Sequence, residues 1–297
     1  MSETVVQMGD KDILHGAEMQ SPHAAMPAWW IVLTGELADL WIGGKALYLM
    51  IAFSVLLGIE TFVLATNFEL SLFTPQEMVF ETLKSALQVS LLIGLIVGAD
   101  SISGERERAT LEGLLLTAAS RRAIVLGKFL AALSAWPVAL GITIPFMSLL
   151  SQGGAVFGEA VRWGAVVGVL MIPAFTAMGM IVSILCDSNK TSFFISLGLF
   201  LVFILVGQVL GPIQTGVLGQ LLTWLNPLPA GFDFLSKLLV GNLHFADAWT
   251  SLESPLAFTV ALIGLLFSYV GAGLSLEAGN ARAVAFVRSL IPGSSRA

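Results

Sequence analysis

Gly104-Glu105-Arg106-Glu107-Arg108-Ala109-Thr110-Leu111-Glu112 is a charged island between two long apolar runs, and Ser120-Arg121-Arg122 and Lys128 follow it closely. From Asp100 to Lys128 the chain carries nine of its 34 charged residues. Such a cluster needs water or a protein partner, because apolar packing cannot hold it. Elsewhere the composition is 56% apolar and 11% charged, with a mean hydropathy of +0.89. Globular chains carry about 25% charged residues. The island therefore interrupts an all-α integral membrane protein.

A helix crossing the hydrocarbon needs about 20 mostly apolar residues. Six such runs occur, approximately Ala46–Ala65, Leu83–Ala99, Ile124–Leu150, Trp163–Leu185, Ser192–Pro212 and Leu256–Leu276. Short cytoplasmic loops retain Lys and Arg. With the amino terminus inside, Lys11, Lys45, Arg106, Arg108, Arg121, Arg122, Lys128, Lys190, Arg282, Arg288 and Arg296 are cytoplasmic, 11 of 14, and only Lys84, Arg162 and Lys237 are external. Six transmembrane helices with both termini cytoplasmic are the expectation. The net charge of -6 argues against a nucleic-acid partner. The single cysteine, Cys186, has no partner for a disulfide or a metal-thiolate site and reads as apolar filler.

Residues 1–26 are acidic and aperiodic and are expected to form a disordered tail without a secretory signal. In residues 27–45, Trp30, Leu33, Leu37 and Trp41 recur at helical spacing while Glu36 and Asp39 fall off that stripe. This predicts an amphipathic helix at the membrane interface. The six-helix domain would occupy 46–276, with a cytoplasmic tail at 277–297. The stretch 213–254 is longer than a connector requires, and Asn226-Pro227-Leu228-Pro229 divides it into two apolar halves. It predicts an external helical hairpin, serving either as an outer gate or as a segment resting on lipid.

On a helix, Glu105, Arg108 and Glu112 would share a face and could form a ladder of ion pairs, with Leu111, Leu114 and Leu115 on an apolar side. Ser120 is placed to cap the next helix. Arg121 and Arg122 alone could be topology anchors; the acids and leucines require more. The string Glu105 to Glu112, with Leu114-Leu115, Thr117, Ser120-Arg121-Arg122 and Gly127-Lys128, resembles the signature of ABC-2 (type-2 ABC exporter) permeases. Ala109 and Ala118 stand where that family usually has glycine and proline. The resemblance implies a type V ABC exporter-like fold in a bacterial or archaeal cytoplasmic membrane. It also implies that residues 103–120 are a coupling helix docked on a separate ABC ATP-binding subunit through Glu105, Arg106, Arg108, Glu112, Arg121 and Arg122, and that the helix from Trp30 to Trp41 is a connecting helix. A second permease copy or a related permease would complete the complex.

The chain lacks a phosphate loop of its own. Gly44-Lys45 and Gly127-Lys128 are followed by Ala46 and Phe129, and the upstream glycine position holds Asp39 and Arg122 respectively. ATP and Mg are therefore expected on the partner, with no cofactor or metal on this chain. His15, His23 and His244 lie outside the spans, which argues against intramembrane catalysis. Ionisable or polar residues within spans are candidates for a substrate pathway. These are Glu60, which could instead snorkel outward, and Gln88 and Gln208, which could instead bond to neighbouring helices. Pro137, Pro145 and Pro173 could act as hinges or static kinks. The functional expectation is an exporter permease; an ABC-coupled assembly or mechanical anchoring subunit shares every one of these features.

Overall fold

The computed structural model describes residues 26–67, 72–111, 113, 116, 119–209 and 226–273. Every regular element among them is helical: α1 (Ala28–Trp41), α2 (Lys45–Thr66), α3 (Pro75–Glu107), α4 (Arg121–Leu133), α5 (Ala135–Ser151), α6 (Val156–Leu185), α7 (Asn189–Val209), α8 (Pro227–Leu239) and α9 (Glu253–Gly273). The turns Phe245–Ala248 and Trp249–Leu252 lead into α9. Among the described residues six segments are long and apolar enough to cross a membrane, as expected, with α4 and α5 together forming the third. The tails 1–25 and 277–297 and the first half of the expected hairpin, 213–225, lie outside the described residues.

Helix α6 is central, with most of its apolar window buried, and α3 crosses it closely. The crossing depends on absent side chains. A Cβ at Gly98 would sit 2.4 Å from the Thr176 carbonyl oxygen, and one at Gly179 would sit 2.2 Å from that of Leu95. Small residues let helix backbones approach where lipid offers no hydrophobic drive for association. Helices α2, α7 and α9 are peripheral and largely exposed along their apolar windows.

At 33 residues, α3 is about 50 Å long at 1.5 Å per residue, well beyond the ~30 Å hydrocarbon layer. Its start lies eight residues before the expected boundary at Leu83. Thr74 caps it: the hydroxyl accepts from Glu77 N at 3.3 Å, the Glu77 carboxylate accepts from Thr74 N at 2.7 Å, and Pro75 occupies the first turn. Its end is also later than expected. The helix continues past Ala99 to Glu107, so the first part of the charged island extends the span rather than forming a separate helix.

The third span breaks at Ser134, three residues before Pro137. Proline cannot donate to the carbonyl four residues back, which is that of Leu133, and its ring crowds it. The Ser134 hydroxyl accepts from the Trp41 indole at 3.0 Å, which ties the end of α1 to the break. Helix α8 starts at Pro227 after Asn226, whose side chain accepts from Leu228 N and donates to Phe203 O. It packs on α6 at the end of the bundle opposite the charged island, where Trp163, Phe234 and Phe245 form an aromatic cluster.

Candidate functional site

The charged island closes α3 with a turn. Ala109 has φ 58, a left-handed conformation, and its amide donates to Arg106 O while that of Thr110 donates to Glu105 O. Leu111 then re-enters the protein, buried with Ile102, Val125, Phe129 and Ile184 and with Leu266 and Val270 of α9. Ser120 caps α4, its hydroxyl accepting from Ala123 N at 3.2 Å. The elbow is thus anchored by one apolar plug and bounded by a strained turn and a helix cap.

Its charges are largely committed to the protein itself. Lys128 lies just past the middle of α4 with only 2% of its side chain exposed, and it pairs with Glu36 of α1 and, at 2.5 Å, with Glu105 of α3. Glu36 therefore faces protein, contrary to the stripe expected from Trp30, Leu33, Leu37 and Trp41. The packed face of α1 includes Leu33 and Leu40, while Trp30 is exposed. This rotation places α1 against Gly127, where a Cβ would meet Val32 at 2.8 Å and Trp29 O at 2.9 Å. Burial pushes the Glu36 carboxyl above the usual carboxylate range; the Lys128 ammonium opposes this, and Glu105 and Asp39 add to it.

A second network surrounds Asp100. Its carboxylate accepts from Lys45 of α2 at 2.5 Å and from the Asn189 side-chain amide of α7 at 2.7 Å, with the Arg108 guanidinium at 3.7 Å. Arg108 also donates to Gly104 O. The Glu105–Arg108 step of the expected ladder is not made among the described residues: Glu105 turns to Lys128 and Arg108 turns to Asp100, while Glu112 lies outside the described residues.

Arg106 donates to Cys186 O, and Glu107 accepts the Asn189 backbone amide at 3.1 Å, so the connection from α6 to α7 is stitched to the end of α3. Burial, with Asp187 adding to it, raises the Cys186 thiol, consistent with an unreactive filler. Ser183 of α6 completes the seam by accepting the amides of Ile102 and Ser103 at 3.1 and 2.8 Å. Arg121 and Arg122, at the start of α4, face outward.

The candidates within spans stay apart from this centre. Glu60 is half-buried on α2 beside Ser85 of α3, near Glu81 and Lys84. Gln88 is half-buried one turn further along α3. Gln208 belongs to α7, but its side chain lies outside the described residues. Among the described residues no group of three or more His, Cys, Asp or Glu is arranged to hold a metal ion.

Sequence reasoning counted Asp100 in the charged cluster but overlooked its partners Lys45 and Asn189, and overlooked Glu36 and Ser183, as parts of the elbow. For Glu36 a signal existed: Lys128 follows Ile124-Val125-Leu126-Gly127 and precedes Phe129, and an ammonium in such a run needs a carboxylate from another helix. A family model described as "ABC-2 family transporter protein" matches residues 30–276. A search of curated proteins gives no match.

Proposed function

The chain belongs to the ABC-2 transporter family, and we propose on that basis that it is the membrane-spanning subunit of an ATP-driven exporter. In this reading the elbow is the docking element for a separate ABC ATPase, which holds ATP and Mg. A second permease copy completes the translocation unit. The membrane is a bacterial or archaeal cytoplasmic membrane, with both termini and the elbow inside.

The charge distribution supports this orientation. Lys45, Arg106, Arg108, Arg121, Arg122, Lys128 and Lys190 gather at the elbow end of the bundle, while Lys84, Arg162 and Lys237 belong to the opposite end. Cytoplasmic loops carry such an excess.

The observation that carries the reading is the fastening of the elbow. Force applied at a docking contact reaches the spans only if the contact cannot yield separately. Here Lys128 locks the end of α3 to α1 and α4, Leu111 plugs the turn, and Ser183 clamps α3 to α6. Arg121 and Arg122, exposed at the start of α4, become with Glu112 the leading contact residues of this reading.

The test is co-purification of the ATPase with the full-length permease. Reversal at Arg121 and Arg122 (to Glu) with Glu112→Lys is expected to abolish retention while membrane insertion persists. Retention at the unaltered level would refute docking at the elbow.

A further inference from the structure

A cleft of about 670 Å3 lies between α1 and the elbow. Ile31, Val32 and Gly35 form one wall, and Thr110, Gly113 and Ala119 form the other. The cleft has room to be filled: nothing lies within 4 Å of a Cβ built at Gly35 or at Gly113, and Ile31 is 60% exposed.

Its charge is of one sign. Glu36, Asp39 and Glu105 line it, and among the described residues no Lys, Arg or His does. Lys128 answers Glu36 and one oxygen of Glu105 from behind, almost wholly withdrawn from solvent. The other Glu105 oxygen is buried without a hydrogen-bond partner among the described residues. Asp39 is exposed and makes no ion pair among them. Three carboxylates against one ammonium leave two negative charges in excess, so a segment that fills the cleft must be both apolar and basic.

The chain carries such a segment within reach. The 24 residues after Gly273 hold Arg282, Arg288 and Arg296 against Glu277 alone, in a chain whose net charge is -6. Ala283, Phe286, Val287 and Leu290 recur among them at intervals of three and four, an amphipathic pattern. Helix α9 leads to the right end of the bundle: Leu266 and Val270 are buried in the cluster that contains Leu111, the residue after Thr110 of the cleft. Arg282 is nine residues beyond Gly273, a reach of about 30 Å at full extension and more than twice the diameter of a helix. The amino-terminal tail does not suit the cleft, because its four acids against Lys11 repeat the same sign. A symmetric contact with a second copy would bring like carboxylates face to face.

We propose that residues 282–291 of the same chain occupy this cleft, with their arginines facing Asp39 and Glu105 and their apolar residues against Ile31 and Val32. The segment then covers the elbow from within the molecule, and any partner that docks there must share the surface or displace it. The assignment is independent of ATPase docking.

The experiment uses the full-length permease alone, purified in detergent, with the single native cysteine removed by Cys186→Ala. Gly35→Cys is combined with Val287→Cys; the control pair replaces Gly35→Cys by Thr34→Cys, exposed on α1 outside the cleft. Mild oxidation is expected to join the first pair within one chain about tenfold faster than the control. Asp39→Lys alone, or Arg282→Glu with Arg288→Glu, should slow this pairing about fivefold, the effect of one exposed ion pair. Adding Asp39→Lys to the two arginine reversals should recover that loss. Equal rates for the two cysteine pairs overturn the proposal, as does a rate indifferent to the charge reversals. Disulfides between chains in place of the internal one assign the cleft to the tail of a second copy and overturn it too. So does protection of the Gly35→Cys thiol from a maleimide that persists when residues 277–297 are removed, which marks lipid or detergent as the occupant.

Discussion

Lys128 Nζ lies 2.5 Å from the carboxylate of Glu105 although the two residues belong to different helices, and both side chains are largely withdrawn from solvent. With Glu36 they form a triad of one cation and two carboxylates joining α1, α3 and α4. Removing the cation leaves two buried acids facing each other. Lys128→Met is therefore expected to destabilise the protein by about 3 kcal/mol, the lower end for breaking a buried ion pair. Thermal unfolding in detergent measures this; a shift no larger than that of Glu36→Gln would contradict the role assigned to Lys128.

Glu36 gives the triad a pH dependence. Burial raises its folded carboxyl above the ordinary value of 4.5, so the folded chain holds the proton more tightly than the unfolded chain. The associated stability is complete below the ordinary value and is lost as pH rises through the folded value. Unfolding midpoints of the unaltered chain and of Glu36→Gln should therefore diverge as pH rises above the ordinary carboxylate value, with the unaltered chain losing stability relative to the variant. Parallel curves would show that Glu36 does not titrate there.

Ala109 occupies a left-handed turn that costs a residue with a Cβ about 1–2 kcal/mol. Ala109→Gly relieves that strain, although glycine adds freedom to the unfolded chain. A net gain of about 0.5–1 kcal/mol is expected. Equilibrium unfolding in urea-containing detergent would detect it; a loss of stability would mean that the turn is not strained.

Gly98→Val would drive methyl groups into the α6 backbone at Thr176, because even a Cβ would sit 2.4 Å from its carbonyl oxygen. Backbone cannot rotate away as a side chain can. The helices must separate, and a loss of about 3 kcal/mol or more is expected, with reduced yield of folded protein. Gly264 is the control, since nothing lies within 4 Å of its Cβ position. Equal effects of valine at the two positions would argue against close packing of α3 and α6.

The spans were legible in the sequence because hydrocarbon thickness sets their length and charge marks their ends. The cap at Ser120 was legible for a similarly local reason: a hydroxyl before a helix has one obvious amide to accept. The start of α3 could also have been read from Thr74-Pro75 and Glu77, but hydropathy favoured the later apolar run beginning near Leu83. The centre of the elbow was harder to read because its partners are remote in sequence. Glu36 and Lys128 are 92 residues apart and Lys45 and Asp100 are 55 apart, so helical spacing within the island suggested local pairs that tertiary contacts replaced. The face of α1 was misread for a related cause: its tryptophan periodicity marks apolar surface, whereas the contact with Gly127 decides which side packs.

The unbroken course of α3 has a mechanical consequence. A rod about 50 Å long, tilted by about 5° at one end, sweeps its other end through about 4 Å. Glu81 and Lys84, about 35–39 Å along it and beside Glu60, would register a nudge at Ala109 as a displacement of about 3 Å, with no intervening joint to absorb it.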